Sequence, residues 1–180
     1  MERKRALGAV VSALALTATA CSGGNGADAQ RAAGPATTAA AASVPRQLVE
    51  GFGAVAYRVS TMPAAERCAL LAESALQKAR GLMGRTDLAG HDGMLFVWDS
   101  DTSGGFWMKD TVLPLSIAWF DAGGRFVSSA DMEPCLNRGS NCPNYDPAGP
   151  YRFALEVPQG KLAAMGIGPG SVLQVGGPCP

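Results

Sequence analysis

Apolar and polar residues alternate over several short stretches of the chain, and such alternation is typical of β-strands. Residues 55–59 follow this pattern and predict one strand before Pro63 interrupts it. The most regular alternation covers 151–157, where large apolar residues occupy every second position. It predicts a half-buried strand that carries Arg152 and Glu156 on one face.

Continuous apolar runs predict further strands, because a buried strand need not alternate. These runs cover 94–98, 106–108 and 113–120, and a final strand is expected at 171–175. Pro114 indicates that the third run lies at a sheet edge or contains a bend. The turn at 121–125, with two adjacent glycines, predicts a hairpin between strands.

Two short helices are predicted between these strands. Ser74 and Gln77 have the spacing of a capping box, which marks the start of a helix that Gly81 and Gly84 would end. Residues 159–165 form a second short helix closed by Gly166. The fold class expected from these elements is α+β and β-rich, a small antiparallel barrel or sandwich with two short helices.

The chain divides by composition into four segments. We expect a lipoprotein signal peptide at 1–21, a flexible tether at 22–46, a transitional segment at 47–66 and a compact β-rich domain at 67–180. The tether consists mainly of small and polar residues with few large apolar ones, so it cannot bury enough surface to order itself.

The N-terminus has the layout of an export signal. A basic cluster at 3–5 precedes an apolar stretch at 6–18 that is shorter than a membrane span requires. The sequence Ala18-Thr19-Ala20-Cys21 then resembles a bacterial lipobox, although such motifs usually carry Leu where Ala18 stands. Lipidation at Cys21 would anchor the protein at the extracytoplasmic face of the cell membrane. An ordinary signal cleaved after Ala20 or Ala29 is the alternative.

The cysteine count fits an oxidising compartment. Of five cysteines, lipidation would use Cys21 and leave an even set of four. Three pairings of that set are possible. We favour Cys135 with Cys142 and Cys68 with Cys179. A zinc site is disfavoured because the chain has one His and no paired CxxC, so we expect no metal and no cofactor.

Charge excludes one class of partner. The chain has 15 basic and 15 acidic residues, and no basic run follows the export signal. It therefore lacks the electrostatic footprint of a nucleic-acid-binding protein.

Six ordered segments resemble one uncharacterised bacterial and archaeal family, catalogued as domain of unknown function 192. They are 80–85 (RGLMGR), 93–96 (GMLF), 106–111 (FWMKDT), 114–115 (PL), 151–157 (YRFALEV) and 168–170 (GPG). The resemblance covers roughly 67–175 and implies a compact β-rich domain without an established activity. The family usually has Asn where this chain has Asp110, and Asp where it has Ser116.

The polar residues of these segments are the candidate ligand contacts, because cations beside carboxylates suit anionic or polyhydroxylated ligands. The candidates are Arg80, Arg85, Trp107, Lys109, Asp110, Thr111 and Glu156. The alternative is that the charged members form structural ion pairs. Trp98, Trp107 and Trp119 offer stacking surfaces, but in a small domain large aromatic residues are usually core.

No catalytic motif supports an enzyme, since the chain lacks a GxSxG elbow and a phosphate-binding loop. A calcium-like spacing at 99–110 places Lys109 beside the metal and is better explained as a turn. His91, the only His, lies in a glycine-rich turn. We therefore expect a cell-envelope module that binds a ligand or partner, such as a saccharide. The alternatives are an acid/base enzyme that uses Asp110, Glu156 or Lys109, and a structural protein.

Overall fold

The computed structural model describes residues 45–179, and nine strands account for most of the regular structure there. In chain order they are β1 (Gly53–Val59), β2 (Arg67–Ala72), β3 (Gly93–Thr102), β4 (Phe106–Trp107), β5 (Leu115–Phe120), β6 (Phe126–Met132), β7 (Asn144–Tyr145), β8 (Tyr151–Pro158) and β9 (Leu173–Val175). The predicted signal peptide, Cys21 and nearly all of the predicted tether lie outside the described residues. Within 45–179, no helix is long and apolar enough to cross a membrane.

Seven strands form one curled sheet in the order β6-β5-β8-β3-β2-β1-β9, while β4 and β7 form a separate pair. The sheet curls into a half-barrel. Two backbone hydrogen bonds connect residues at its β6 edge with residues at its β9 edge, since Phe126 N donates to Ser171 O (3.0 Å) and Leu173 N to Gly124 O (2.7 Å). The expected antiparallel sheet needs one correction. Strands β2 and β3 are parallel, because the segment between them crosses over instead of forming a hairpin.

One α-helix, α1 (Ala75–Arg80), occurs among residues 45–179. Ser74 and Gln77 form the predicted capping box, with both reciprocal hydrogen bonds present. The second predicted helix is only a 3₁₀ turn, Ala163–Met165, which ends at Gly166 with φ of 76°. The hairpin predicted at 121–125 joins β5 to β6. Strand β1 lies between β2 and β9, so part of the 47–66 segment belongs to the sheet.

Side chains on the two faces of the sheet form two apolar cores, since successive residues of a strand point to opposite faces. The Tyr57 core contains Val55, Tyr57, Val59, Ala69, Leu95, Ala118, Phe120, Leu155, Val157, Met165, Ile167 and Leu173. The Trp119 core contains Leu70, Ala72, Leu82, Met94, Phe96, Met108, Leu115, Ile117, Trp119, Met132, Cys135, Tyr151 and Ala154. Residues after α1 and around β4 cover the second core.

Strand β8 was predicted to be half-buried, and this is wrong. It lies between β5 and β3, and a core covers each face, so 154–157 are all buried. Arg152 and Phe153 are partly exposed and Pro158, the last residue, is exposed; Arg152 Nε donates to Asp101 Oδ1 at 2.7 Å. Glu156 lies in the buried part of the strand.

Both favoured cysteine pairs lie at disulfide distance. The Cα atoms of Cys68 and Cys179 are 5.6 Å apart, and those of Cys135 and Cys142 are 5.8 Å apart. The first pair ties the last described residues to β2. The second clips the loop between β6 and β7.

Candidate functional site

Glu156 is a buried carboxyl without a partner. It is 4% exposed and lies on β8 opposite Met94 of β3 and Ile117 of β5. Its side chain forms no hydrogen bond and no ion pair with any residue in the range 45–179. Burial therefore raises the pKa of Glu156 to about 8, because the charged form loses its hydration and nothing replaces it.

The Glu156 side chain lines a small pocket of about 40 Å³ on the Trp119 side of the sheet. This volume holds a few water-sized groups. Thr111 is the other buried polar residue of the wall. We call this cavity the Glu156 pocket.

Aromatic residues form much of the wall of the Glu156 pocket. Phe96 and Phe106 pack edge to face with their ring centroids 5.0 Å apart. Trp107 also lines the pocket. Its side chain is 42% exposed, so the prediction that Trp107 is a core residue is wrong. Trp119 is fully buried, and Trp98 packs against Tyr151 at 5.1 Å.

The C-terminal end of α1 supplies the two cations of the pocket. Lys78 Nζ donates to the carbonyl oxygen of Val97 at 2.8 Å and lies 4.9 Å from the centre of the Trp98 ring. The guanidinium of Arg80 stacks over Phe52 at 6.0 Å and forms no ion pair within the described range. Lys78 is thus held by the protein, whereas the charge of Arg80 is not neutralised.

Gly81 ends α1 and brings the chain against the pocket wall. Its φ is +47°, a backbone conformation that side chains rarely adopt, and a Cβ there would lie 3.5 Å from the Phe96 ring. This turn places Leu82 and Met83 over the pocket beside Arg80.

Lys109 and Asp110 pair with each other at 3.7 Å and do not line the Glu156 pocket. Lys109 Nζ also lies 5.6 Å from the centre of the Trp107 ring. Asp110 has φ of 52°, and its backbone is fixed by hydrogen bonds from Gly84 N (2.8 Å) and to Cys135 O (3.0 Å). Asn and Asp adopt this left-handed conformation more readily than other side chains, so backbone geometry explains either residue at position 110.

Arg85, the remaining candidate, lies apart from the pocket, as does Ser116, where the family usually has Asp. Arg85 pairs with Asp87 at 3.3 Å. Ser116 is buried, donates to Asp131 and accepts a hydrogen bond from Gly160 N at 2.8 Å. Four of the seven candidate ligand contacts therefore share the Glu156 pocket. They are Arg80, Trp107, Thr111 and Glu156.

Sequence reasoning missed Lys78, Phe96 and Phe106 as lining residues. Phe96 and Phe106 stand in apolar runs that predict strands, and nothing local distinguishes a strand residue that faces a pocket from one that faces a core. No group of three or more His, Cys, Asp or Glu able to hold a metal occurs between residues 45 and 179. His91 Nδ1 lies 3.0 Å from the carbonyl oxygen of Leu88.

A larger depression of about 270 Å³ lies between β1 and β9. Its two charged residues, Arg58 and Glu66, already form an ion pair with each other. The Glu156 pocket is therefore the better candidate, because its carboxyl still lacks a partner.

A family model, DUF192 (Uncharacterized ACR), matches residues 59–175. A crystal structure from Novosphingobium aromaticivorans DSM 12444, of a protein of unknown function, is 29% identical with a TM-score of 0.58, over 78% of this chain and 99% of that one. A candidate transcription regulator from Sinorhizobium meliloti 1021 is 24% identical with a TM-score of 0.59, over 72% and 97% of the two chains, and this likeness is one of fold alone. No curated protein matches the sequence.

Proposed function

This chain belongs to the DUF192 family, whose function is uncharacterised, and we propose that it is an exported lipoprotein whose domain binds a small polar ligand in the Glu156 pocket. The family supplies no ligand, so the proposal depends on the chemistry of the pocket. The regulator description of the Sinorhizobium protein is not carried over, because this chain has no excess of positive charge.

The observation that carries the proposal is the unpartnered carboxyl of Glu156. A carboxyl that is largely removed from water and makes no hydrogen bond to the protein is costly, and an apolar residue of similar size would avoid that cost. A ligand that enters the pocket would supply the missing partner. Thr111 in the same wall and the aromatic rings of Phe96 and Phe106 would fix its orientation.

Thermal denaturation with a panel of small molecules tests this proposal. Saccharides, amino acids, polyamines and inorganic anions would each be added to the purified domain. A true ligand at 100 times its Kd stabilises the folded state by about 2.7 kcal/mol and so raises the melting temperature. The Glu156→Leu variant should lose this response. The matched variant Glu133→Gln, which changes an exposed carboxyl, should keep it. A response that is equal in all three proteins would refute the site.

Membrane anchoring is proposed from the lipobox-like sequence that ends at Cys21. The Cys21→Ala protein should leave the membrane fraction of the producing cells, because acyl chains can no longer be attached. The neighbouring Ser22→Ala variant should remain in that fraction. Continued membrane retention of the Cys21→Ala protein would refute lipidation.

An acid/base enzyme is the second candidate, supported by a carboxyl that stays protonated at neutral pH inside a pocket. Lys109 and Asp110 pair away from that pocket, so Glu156 alone would transfer the proton. Product analysis after incubation with envelope saccharides tests this role. An enzyme requires turnover that the Glu156→Gln variant lacks, and binding without turnover favours the module.

A further inference from the structure

A carboxyl and a guanidinium line the Glu156 pocket without pairing with each other. Glu156 is 4% exposed and has no cation within ion-pair distance, while Arg80 is exposed and has no carboxylate within that distance. Lys78 is the other cation of the wall, but the carbonyl oxygen of Val97 already holds its ammonium group. A carboxyl and a guanidinium that share one cavity and stay unpaired leave room for a ligand between them.

Arg80 lines a neighbouring depression as well as the Glu156 pocket. Its guanidinium lies over the Phe52 ring, and Arg80 also lines a second depression of about 290 Å³ together with Phe52 and Leu76. Leu76 is 85% exposed there. The small Glu156 pocket and this broader apolar depression therefore share Arg80 as a common wall.

Size and aromatic content define what enters the inner part. A volume of about 40 Å³ admits the end of a chain or one substituent of a sugar, but not a whole sugar ring. Phe96, Phe106 and Trp107 surround that space, and aromatic faces attract cations by about 0.5–2 kcal/mol. A primary ammonium group meets both requirements, since it is small and would supply the positive partner that Glu156 lacks.

We infer that the ligand of the Glu156 pocket is a small organic zwitterion, whose primary ammonium group pairs with Glu156 while its carboxylate pairs with Arg80. This inference rests on the proposed function, because it names the ligand class of the same site. An apolar portion of the ligand would lie over Phe52 and Leu76. A forked guanidinium suits the carboxylate because it can donate two parallel hydrogen bonds.

Binding of an ammonium group requires Glu156 to ionise, so the complex forms with release of a proton. The charged groups that face Glu156 are Lys78 and Arg80, since β3 and β5 present Met94 and Ile117 to it. The pKa of Glu156, raised to about 8 by burial, means that affinity should increase as pH rises toward that value.

Isothermal titration calorimetry with a series of ω-amino acids, from glycine to 6-aminohexanoate, tests the inference. The n-alkylamine and the n-alkanoate of matched length serve as single-charge controls. We expect one member of the series to bind at least tenfold more tightly than either control, with affinity rising up to about tenfold per pH unit between pH 6 and 8.

Substitutions at Arg80 and Glu156 test the two proposed ion pairs with the ligand one at a time. Arg80→Gln changes an exposed residue and should reduce the zwitterion to the affinity of the amine, while Arg138→Gln, at another exposed arginine, should change nothing. Glu156→Gln should abolish the pH dependence. If that variant does not fold, the Arg80→Gln comparison decides alone.

Three outcomes overturn the inference. They are an amine that binds as tightly as every zwitterion, zwitterion binding that Arg80→Gln leaves intact, and a panel in which only uncharged ligands bind through Glu156. The third outcome would leave the proposed binding site standing. If no class of compound binds, both proposals fail.

Discussion

Gly93 packs against the backbone of Glu156. A Cβ at position 93 would lie 2.1 Å from the carbonyl oxygen of Glu156 and 3.1 Å from Cγ1 of Val157. The missing side chain therefore permits the close spacing of β3 and β8 at the residue whose carboxyl lines the pocket. Since the clash would be with backbone, no side-chain rotation can relieve it.

The Gly93→Ala variant should be destabilised by about 1–3 kcal/mol or more, because β3 and β8 must move apart to admit the methyl group. Urea denaturation measures the change. Gly168→Ala is the matched control, since nothing lies within 4 Å of a Cβ at that position. Equal midpoints for the two variants would contradict the packing described above.

Replacement of Glu156 by Gln should change how stability depends on pH. The pKa of Glu156 is about 8 in the folded protein and about 4.3 in an unfolded chain. Between these values the unfolded state releases a proton that the folded state retains, so the wild type loses stability as pH rises. Each unit of pKa difference corresponds to about 1.4 kcal/mol.

We therefore expect Glu156→Gln and the wild type to be similar near pH 4, and the variant to be more stable by a few kcal/mol near pH 9. Chemical denaturation at several pH values measures this divergence. Glu133→Gln should follow the wild-type curve because Glu133 is exposed. Parallel curves for wild type and Glu156→Gln would show that Glu156 does not titrate as described.

The stability of Asp110 variants should depend on how readily the new residue adopts the left-handed backbone conformation, and not on its charge. Its φ of 52° is a conformation that costs most L-residues about 1–2 kcal/mol. Asp110→Asn and Asp110→Gly should remain close to wild-type stability, whereas Asp110→Val should be destabilised by about 1–2 kcal/mol. Thermal melts of the three variants provide the comparison. If Asp110→Asn lost as much stability as Asp110→Val, the carboxylate and not the backbone conformation would be what position 110 requires.

The two disulfides should contribute unequally to stability. By loop entropy, the Cys68–Cys179 bond, with a sequence separation of 111, is worth about 5 kcal/mol, and Cys135–Cys142, with a separation of 7, about 2.5 kcal/mol. Denaturation of the two double-alanine variants measures both losses.

Removal of the shorter bridge should also have a local effect. The Asp110 amide donates to Cys135 O, so its hydrogen exchange should become faster in Cys135→Ala/Cys142→Ala than in Cys68→Ala/Cys179→Ala. An unchanged exchange rate of the Asp110 amide would mean that the loop between β6 and β7 keeps its position without the Cys135–Cys142 disulfide.

Local features were read correctly from the sequence. The capping box at Ser74, the turn at 121–125 and the αL glycine at 166 depend on contacts within a few residues, so they leave a signature in the chain. The family resemblance was also available, because six ordered segments carry it. Four cysteines leave three possible pairings, and the favoured one lies at disulfide distance.

Glu156 shows what the sequence could not supply. Alternation placed it on one face of a strand, but burial of both faces depends on β3, β5 and the covering segments, which are distant in sequence. The apolar run at 106–108 likewise gave no sign that Lys109 and Asp110, which follow it, would pair with each other outside the pocket.

The sequence by itself determined the period of the strands, the start of α1 and the family, because these follow from neighbouring residues and ordered motifs. Only the tertiary structure decided that β2 and β3 run parallel and that Glu156 and Arg80 share a cavity while remaining unpaired. The physical reason is that burial and charge pairing arise between segments far apart in the chain, where local periodicity carries no information.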